Sequence, residues 1–266
     1  MTTNTKDNYT ALDRSEVSML LFHPRKELTA PEIMTHGADV LIPVGEDDRI
    51  GARFHMAEKQ NPNILFFHGN GEIVADYDEI GPFYNKMGIN FLPADYRGYG
   101  RSTGKPCVSA MMNDCHAVFD FVKTWLAENK YPGPIIVMGR SLGSASAIEI
   151  AVSHKDKISG LILESGFAYA GPLLRILGVD PDAVGFKEET GFRNVDKIKT
   201  FGKPALIIHA EQDNIIPFSD GQALYDACSA SDKTLLEIPG ANHNDIFMRG
   251  LSEYMAAVKA LADRVT

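Results

Sequence analysis

From residue 63 onward, short unbroken apolar runs alternate with longer stretches whose apolar side chains recur three and four positions apart. The runs are residues 63–67, 89–93, 135–138, 158–163, 205–209 and 234–238. They are rich in β-branched and aromatic residues, with no polar position alternating through them, which predicts strands buried on both faces. The stretch 111–129 shows the other pattern: Cys115, Val118, Phe119, Val122, Trp125 and Leu126 share one side of a helix. Further helices are predicted over 72–87, from 143 to 154, over 219–230 and over 246–264. Upstream, 39–43 and 49–56 read as two strands joined by the turn 45–48, an antiparallel hairpin. A short helix over 15–22 is expected to be capped by Ser15 and stopped at His23-Pro24. Residues 1–12 are expected to be disordered or loosely attached. Residues 168–200 break the rhythm and read as an insertion.

Strands alternating with helices predict an α/β fold with a doubly wound, mostly parallel sheet. The 266 residues suit one large α/β domain spanning 1–266, which buries roughly 70–75% of its unfolded surface without covalent staples. The formal net charge of −9 argues against nucleic acid and anionic membranes as partners. Three cysteines, Cys107, Cys115 and Cys228, form no CxxC pair and read as free thiols in a reducing compartment. Residues 1–13 carry no apolar core of signal length, and no run approaches the ~18 apolar residues of a membrane span. A cytoplasmic protein without stable membrane insertion is the expectation. Oligomeric state is left open.

In a parallel sheet the ligand sits beyond the carboxyl ends of the strands. Those ends carry His68-Gly69-Asn70, Ser141, Glu164, Asp213 and His243. Gly139-Arg140-Ser141-Leu142-Gly143 is a Gly-x-Ser-x-Gly sequence between a strand and a helix of small residues. That pattern makes a nucleophile elbow, a strained turn that holds the serine hydroxyl at its apex. A serine hydroxyl needs a general base at neutral pH, and histidine has the right pKa, which singles out His243. Asp213 is the expected partner that orients the imidazole, with Glu164 as the competing acid. With an elbow of this kind the partners follow in the chain order serine, acid, histidine, which is the order here.

Two backbone N–H groups, of Leu142 and of Asn70, are expected to form the oxyanion hole. Glycines at 69 and 71 let the second loop approach. His68 is expected to order that loop. The histidines at 23, 36, 55, 116, 154 and 209 read as structural. Gly98, Gly100 and Gly104 suggest a phosphate loop, but neither GxxxxGK[ST] nor GxGxxG is matched there. No metal-ligand spacing is present either.

Together FFHGNGE (66–72), DYRGYGRSTGKP (95–106), GRSLGS (139–144), ESGF (164–167), AEQDNIIP (210–217) and GANHND (240–245) resemble the α/β-hydrolase superfamily. The likeness covers about 38–264 and is nearest the small prolyl-oligopeptidase-like and serine-aminopeptidase-like branch, with its depalmitoylases and monoacylglycerol-type lipases. The resemblance implies a triad of Ser141, Asp213 and His243 and cofactor-free hydrolysis of esters, thioesters or amides. It makes 168–200 a short cap. Leu173, Leu174, Ile176, Leu177, Val179, Phe186 and Phe192 there either line an acyl pocket or pack onto the body. The N-terminus has no cysteine cluster for lipid attachment, which argues against a membrane-resident depalmitoylase. The expected activity is hydrolysis of a carboxylic ester or thioester of small to medium acyl groups, through an acyl-enzyme on Ser141. The alternatives are a peptidase or amidase acting on short peptides, and a non-catalytic ligand-binding protein on the same fold.

Overall fold

The computed structural model describes residues 7–28 and 37–266. Among them runs one eight-stranded sheet. Its strands are β1 (Gly37–Pro43), β2 (Arg49–His55), β3 (Asn63–Phe67), β4 (Asn90–Ala94), β5 (Ile135–Arg140), β6 (Gly160–Glu164), β7 (Ala205–Ala210) and β8 (Lys233–Ile238). The order across the sheet is β1-β2-β4-β3-β5-β6-β7-β8. β1 and β2 form the antiparallel hairpin, and β2 is antiparallel to β4. The remaining pairs are parallel.

Two apolar clusters explain why the strands read as unbroken apolar runs. Leu65, Phe67, Val137, Leu161, Leu163 and Ile207 belong to one cluster. Their chain neighbours Ile64, Phe66, Ile136, Ile162, Leu206 and Ile208 belong to the other. Successive strand side chains point to opposite faces, so a sheet covered on both sides leaves no position for alternating polarity. The first cluster is completed by α3 (Val108–Glu128) and α4 (Gly143–Ser153), the second by α2 (Gly81–Lys86) and α10 (Leu251–Arg264).

Several boundaries differ from the sequence reading, each for a local reason. α1 (Ser15–Leu21) begins without a side-chain cap, because Ser15 is its first helical residue and Arg14 holds the cap position; the Ser15 hydroxyl bonds Glu16. The helix expected over 72–87 is a 3₁₀ turn, Val74–Tyr77, followed by α2. Asp95 takes the Val74 N–H at 2.9 Å and Asp76 takes the Ile73 N–H at 3.0 Å, and Pro82 in the first turn of α2 has no N–H to continue a helix through. α3 starts earlier than expected, with the Cys107 sulfur accepting the Ala110 N–H at 3.4 Å. The terminal helix divides into α9 (Ile246–Arg249) and α10. Gly250 sits between them, where a Cβ would come within 2.6 Å of Ile238. α8 (Phe218–Ala227) precedes β8 as expected.

Residues 7–12 are packed rather than loose. Leu12 is fully buried, and Asp7 pairs with Arg193 at 3.1 Å and Lys197 at 2.8 Å. Residues 1–6 and His36 lie outside the described residues. Segment 168–200 folds as α5 (Ala170–Ile176), α6 (Pro181–Val184), a 3₁₀ turn and α7 (Asn194–Ile198). Leu174, Val179, Phe186 and Phe192 are buried in the cluster that also holds α4, and Ile176 is exposed. No helix among the described residues is long and apolar enough to cross a membrane.

Candidate active site

β5 lies in the middle of the sheet and delivers Ser141 at its carboxyl end. Ser141 has φ of 50°, a left-handed conformation that a serine adopts only under local constraint. Its N–H is held by the Glu164 carbonyl at 2.9 Å, and its own carbonyl accepts the Ser144 N–H at 3.0 Å. The flanking glycines are required by contact. A Cβ at Gly139 would strike the Gly143 carbonyl, and one at Gly143 would strike the carbonyl of Phe67. The loop after β3 therefore abuts the elbow itself.

The structure brings Ser141, His243 and Asp213 together from three separate loops. The Ser141 hydroxyl donates to His243 Nε2 at 3.0 Å, and His243 Nδ1–H donates to Asp213 Oδ2 at 2.7 Å. The other Asp213 oxygen accepts the N–H groups of Ile215 at 3.0 Å and Ile216 at 2.8 Å. Burial alone would raise the Asp213 carboxyl. The His243 bond and charge and the two backbone donors outweigh it and hold the group below the ordinary carboxylate range. It is an anion that faces an imidazole, which faces a hydroxyl: the arrangement that can remove the serine proton and stabilise the imidazolium formed.

Glu164, the competing acid, is engaged elsewhere. It accepts from Arg140 Nε at 3.1 Å and from the Tyr254 hydroxyl at 2.7 Å. Among the described residues no acceptor of the chain takes the Asn70 or the Leu142 N–H. The Asn70 side chain is fixed on its far side. Its Oδ1 accepts from the His23 N–H at 2.8 Å and the Tyr99 hydroxyl at 2.6 Å, and its Nδ2 donates to His23 Nδ1 at 2.8 Å. His68 is wholly buried, bonded to the Gly69 carbonyl at 2.8 Å and Asp95 at 3.1 Å. His209 donates to the Ile216 carbonyl at 2.8 Å, behind the Asp213 turn. His116 and His154 face each other at 3.1 Å on α3 and just after α4.

Sequence reasoning passed over Arg140, Glu72 and Tyr254, which with Glu164 form a mostly buried polar cluster beside the site. The available signal was a charge ending an apolar strand. Arg140 and Glu164 both terminate such runs, and they are register partners on β5 and β6.

A family model described as serine aminopeptidase, S33, matches residues 58–179. The mouse alpha/beta hydrolase domain-containing protein 17C is 29% identical over 243 residues, 89% of this chain and 69% of its own. An esterase from Pyrococcus furiosus superposes with a TM-score of 0.72 at 19% identity, covering 91% of this chain and 98% of that one. A monoacylglycerol lipase from Paleococcus ferrophilus gives 0.65 at 19% identity, covering 83% and 100%. The chain has the α/β-hydrolase fold. It is a serine hydrolase on that fold, with the mostly parallel sheet and the antiparallel N-terminal hairpin that the sequence pattern predicts.

Proposed function

We propose that this hydrolase cleaves carboxylic esters or thioesters of small to medium acyl groups through an acyl-enzyme on Ser141. The observation that carries the reading is the continuous relay from Ser141 through His243 to Asp213, at 3.0 and 2.7 Å. His243 takes the Ser141 proton as Oγ attacks the carbonyl carbon. The tetrahedral oxyanion is met by the N–H groups of Leu142 and Asn70. His243 then gives its proton to the departing alcohol or thiol, leaving the acyl group on Ser141. A water molecule, deprotonated by the same imidazole, cleaves that ester and releases the acid. The names of the esterase and lipase neighbours support ester chemistry over amide chemistry. In this reading 1–266 is one domain, and 168–200 is a cap over the site. The three unpaired thiols support a cytoplasmic setting.

A series of p-nitrophenyl esters and acyl thioesters, from two to twelve acyl carbons, tests the reading. Turnover should favour the shorter and middle lengths and vanish in Ser141→Ala. Faster hydrolysis of aminoacyl anilides would transfer the assignment to peptidase chemistry, which the name of the matching family model favours. No turnover of any ester, thioester or anilide would make the site a receptor for a bound ligand.

A further inference from the structure

Arg140 occupies the variable position just before the nucleophile, and its guanidinium reaches three separate loops. Nη1 pairs with Glu72 on the loop after β3, and Nε donates to Glu164 at the end of β6 at 3.1 Å. Nη2 donates to the backbone carbonyl of His243 at 2.8 Å. Glu72 is itself built into the oxyanion loop, where its Oε2 accepts the Gly69 N–H at 2.7 Å and the Tyr77 hydroxyl at 2.7 Å. The guanidinium also lies against the loop, since a Cβ on Gly69 would come within 2.5 Å of Nη1.

A buried charge is tolerated only when fully paired, and the two carboxylates provide that pairing. Burial would lower the affinity of Arg140 for its proton, but Glu72 and Glu164 reverse this and hold it charged. The planar fork then fixes direction as well as charge. The carbonyl it holds belongs to the residue whose imidazole must meet Ser141. Displacing a reacting group by about 1 Å costs on the order of 100-fold in rate.

We propose that Arg140 is a positioning residue that clamps the His243 turn and the oxyanion loop in register with the Ser141 hydroxyl. The inference rests on the relay reading given above. It adds that the relay is aligned through the His243 main chain, by a side chain bonded to Glu72, Glu164 and the His243 carbonyl.

Arg53 provides the matched control. It is the more deeply buried of the two, and it pairs with Glu27 at 2.7 Å, Asp39 at 2.8 Å and Asp78 at 2.6 Å. Lysine at either position keeps the charge and loses the fork. Arg140→Lys should lower kcat by about 10–100-fold, with KM within about twofold of wild type. It should also shift the low-field resonance of the His243 Nδ1 proton. Arg53→Lys should lower the melting temperature and leave kcat and that resonance unchanged. Wild-type kcat and an unshifted resonance in Arg140→Lys would overturn the proposal. So would a kcat loss that Arg53→Lys reproduces at equal loss of stability. Should Arg140→Lys not fold, Glu164→Gln, which loosens one anchor of the guanidinium, is read by the same two criteria with a smaller expected shift. The resonance separates the two layers of the argument. A shift in Arg140→Lys together with undiminished turnover in Ser141→Ala would remove the catalytic reading and leave the clamp standing.

Discussion

His68 and His243 occupy equivalent settings in the fold. Each lies where a strand gives way to a loop, each is buried, and each sets a ring nitrogen against an aspartate. They differ in what the second nitrogen meets. For His68 it is the Gly69 carbonyl, so both nitrogens face acceptors and both must donate. That arrangement favours the imidazolium. Burial alone would lower its pKa, and the hydrogen bond and charge of Asp95 raise it instead. For His243 the second nitrogen meets the Ser141 hydroxyl, which can donate, so that nitrogen has a proton to accept. A buried histidine–aspartate pair is therefore not in itself a catalytic element. The third partner decides whether the imidazole is a fixed cation that orders a loop or a base with a proton to accept.

That difference is sharpest under truncation. His243→Ala should cut kcat by about 10⁴–10⁶-fold while changing the melting temperature little. His68→Ala should act in the opposite sense. It leaves Asp95 buried without its partner, for a loss of about 3–5 kcal/mol, and the activity lost should be far smaller than in His243→Ala. Urea denaturation and initial-rate kinetics on the same preparations measure both, and equal kcat losses would erase the distinction.

The smaller test is pH. The folded pKa of His68 is raised above its unfolded value of about 6.5. Its stabilising contribution is therefore fully present below about 6.5 and is lost as pH rises through the folded value. Burial depresses His55 to about 4 and also lowers His209. Those two rings act in the opposite direction and cost stability as pH falls below about 6.5. The His68 effect must accordingly be read as a difference between wild type and His68→Gln. The urea midpoints of the two proteins should converge as pH rises from about 6 to 9. A gap that widens over that range would contradict the imidazolium assignment.

The parts of this fold that were legible in the sequence are those dictated by short-range pattern. Unbroken runs such as 135–138 and 205–209 announce strands because both sheet faces are covered, and the ends of those strands point to Ser141, Asp213 and His243, which the structure brings together. What could not be read depends on contacts between distant residues. The need for glycine at the break at 250 comes from Ile238 on β8. The packing of residues 7–12 depends on Arg193 and Lys197, with Arg193 186 residues from its partner Asp7. The Arg140 cluster joins residues 72, 140, 164 and 243, and the pattern around Arg140 shows only a charge after an apolar run.

The central claim is that the Ser141 hydroxyl is a nucleophile made reactive by His243. Labelling with a fluorophosphonate, located by mass spectrometry of the digested protein, measures this most directly. The adduct should sit on Ser141, be absent from Ser141→Ala, and form far more slowly in His243→Ala. Equal labelling of wild type and Ser141→Ala, or an undiminished rate without the imidazole, would contradict the account.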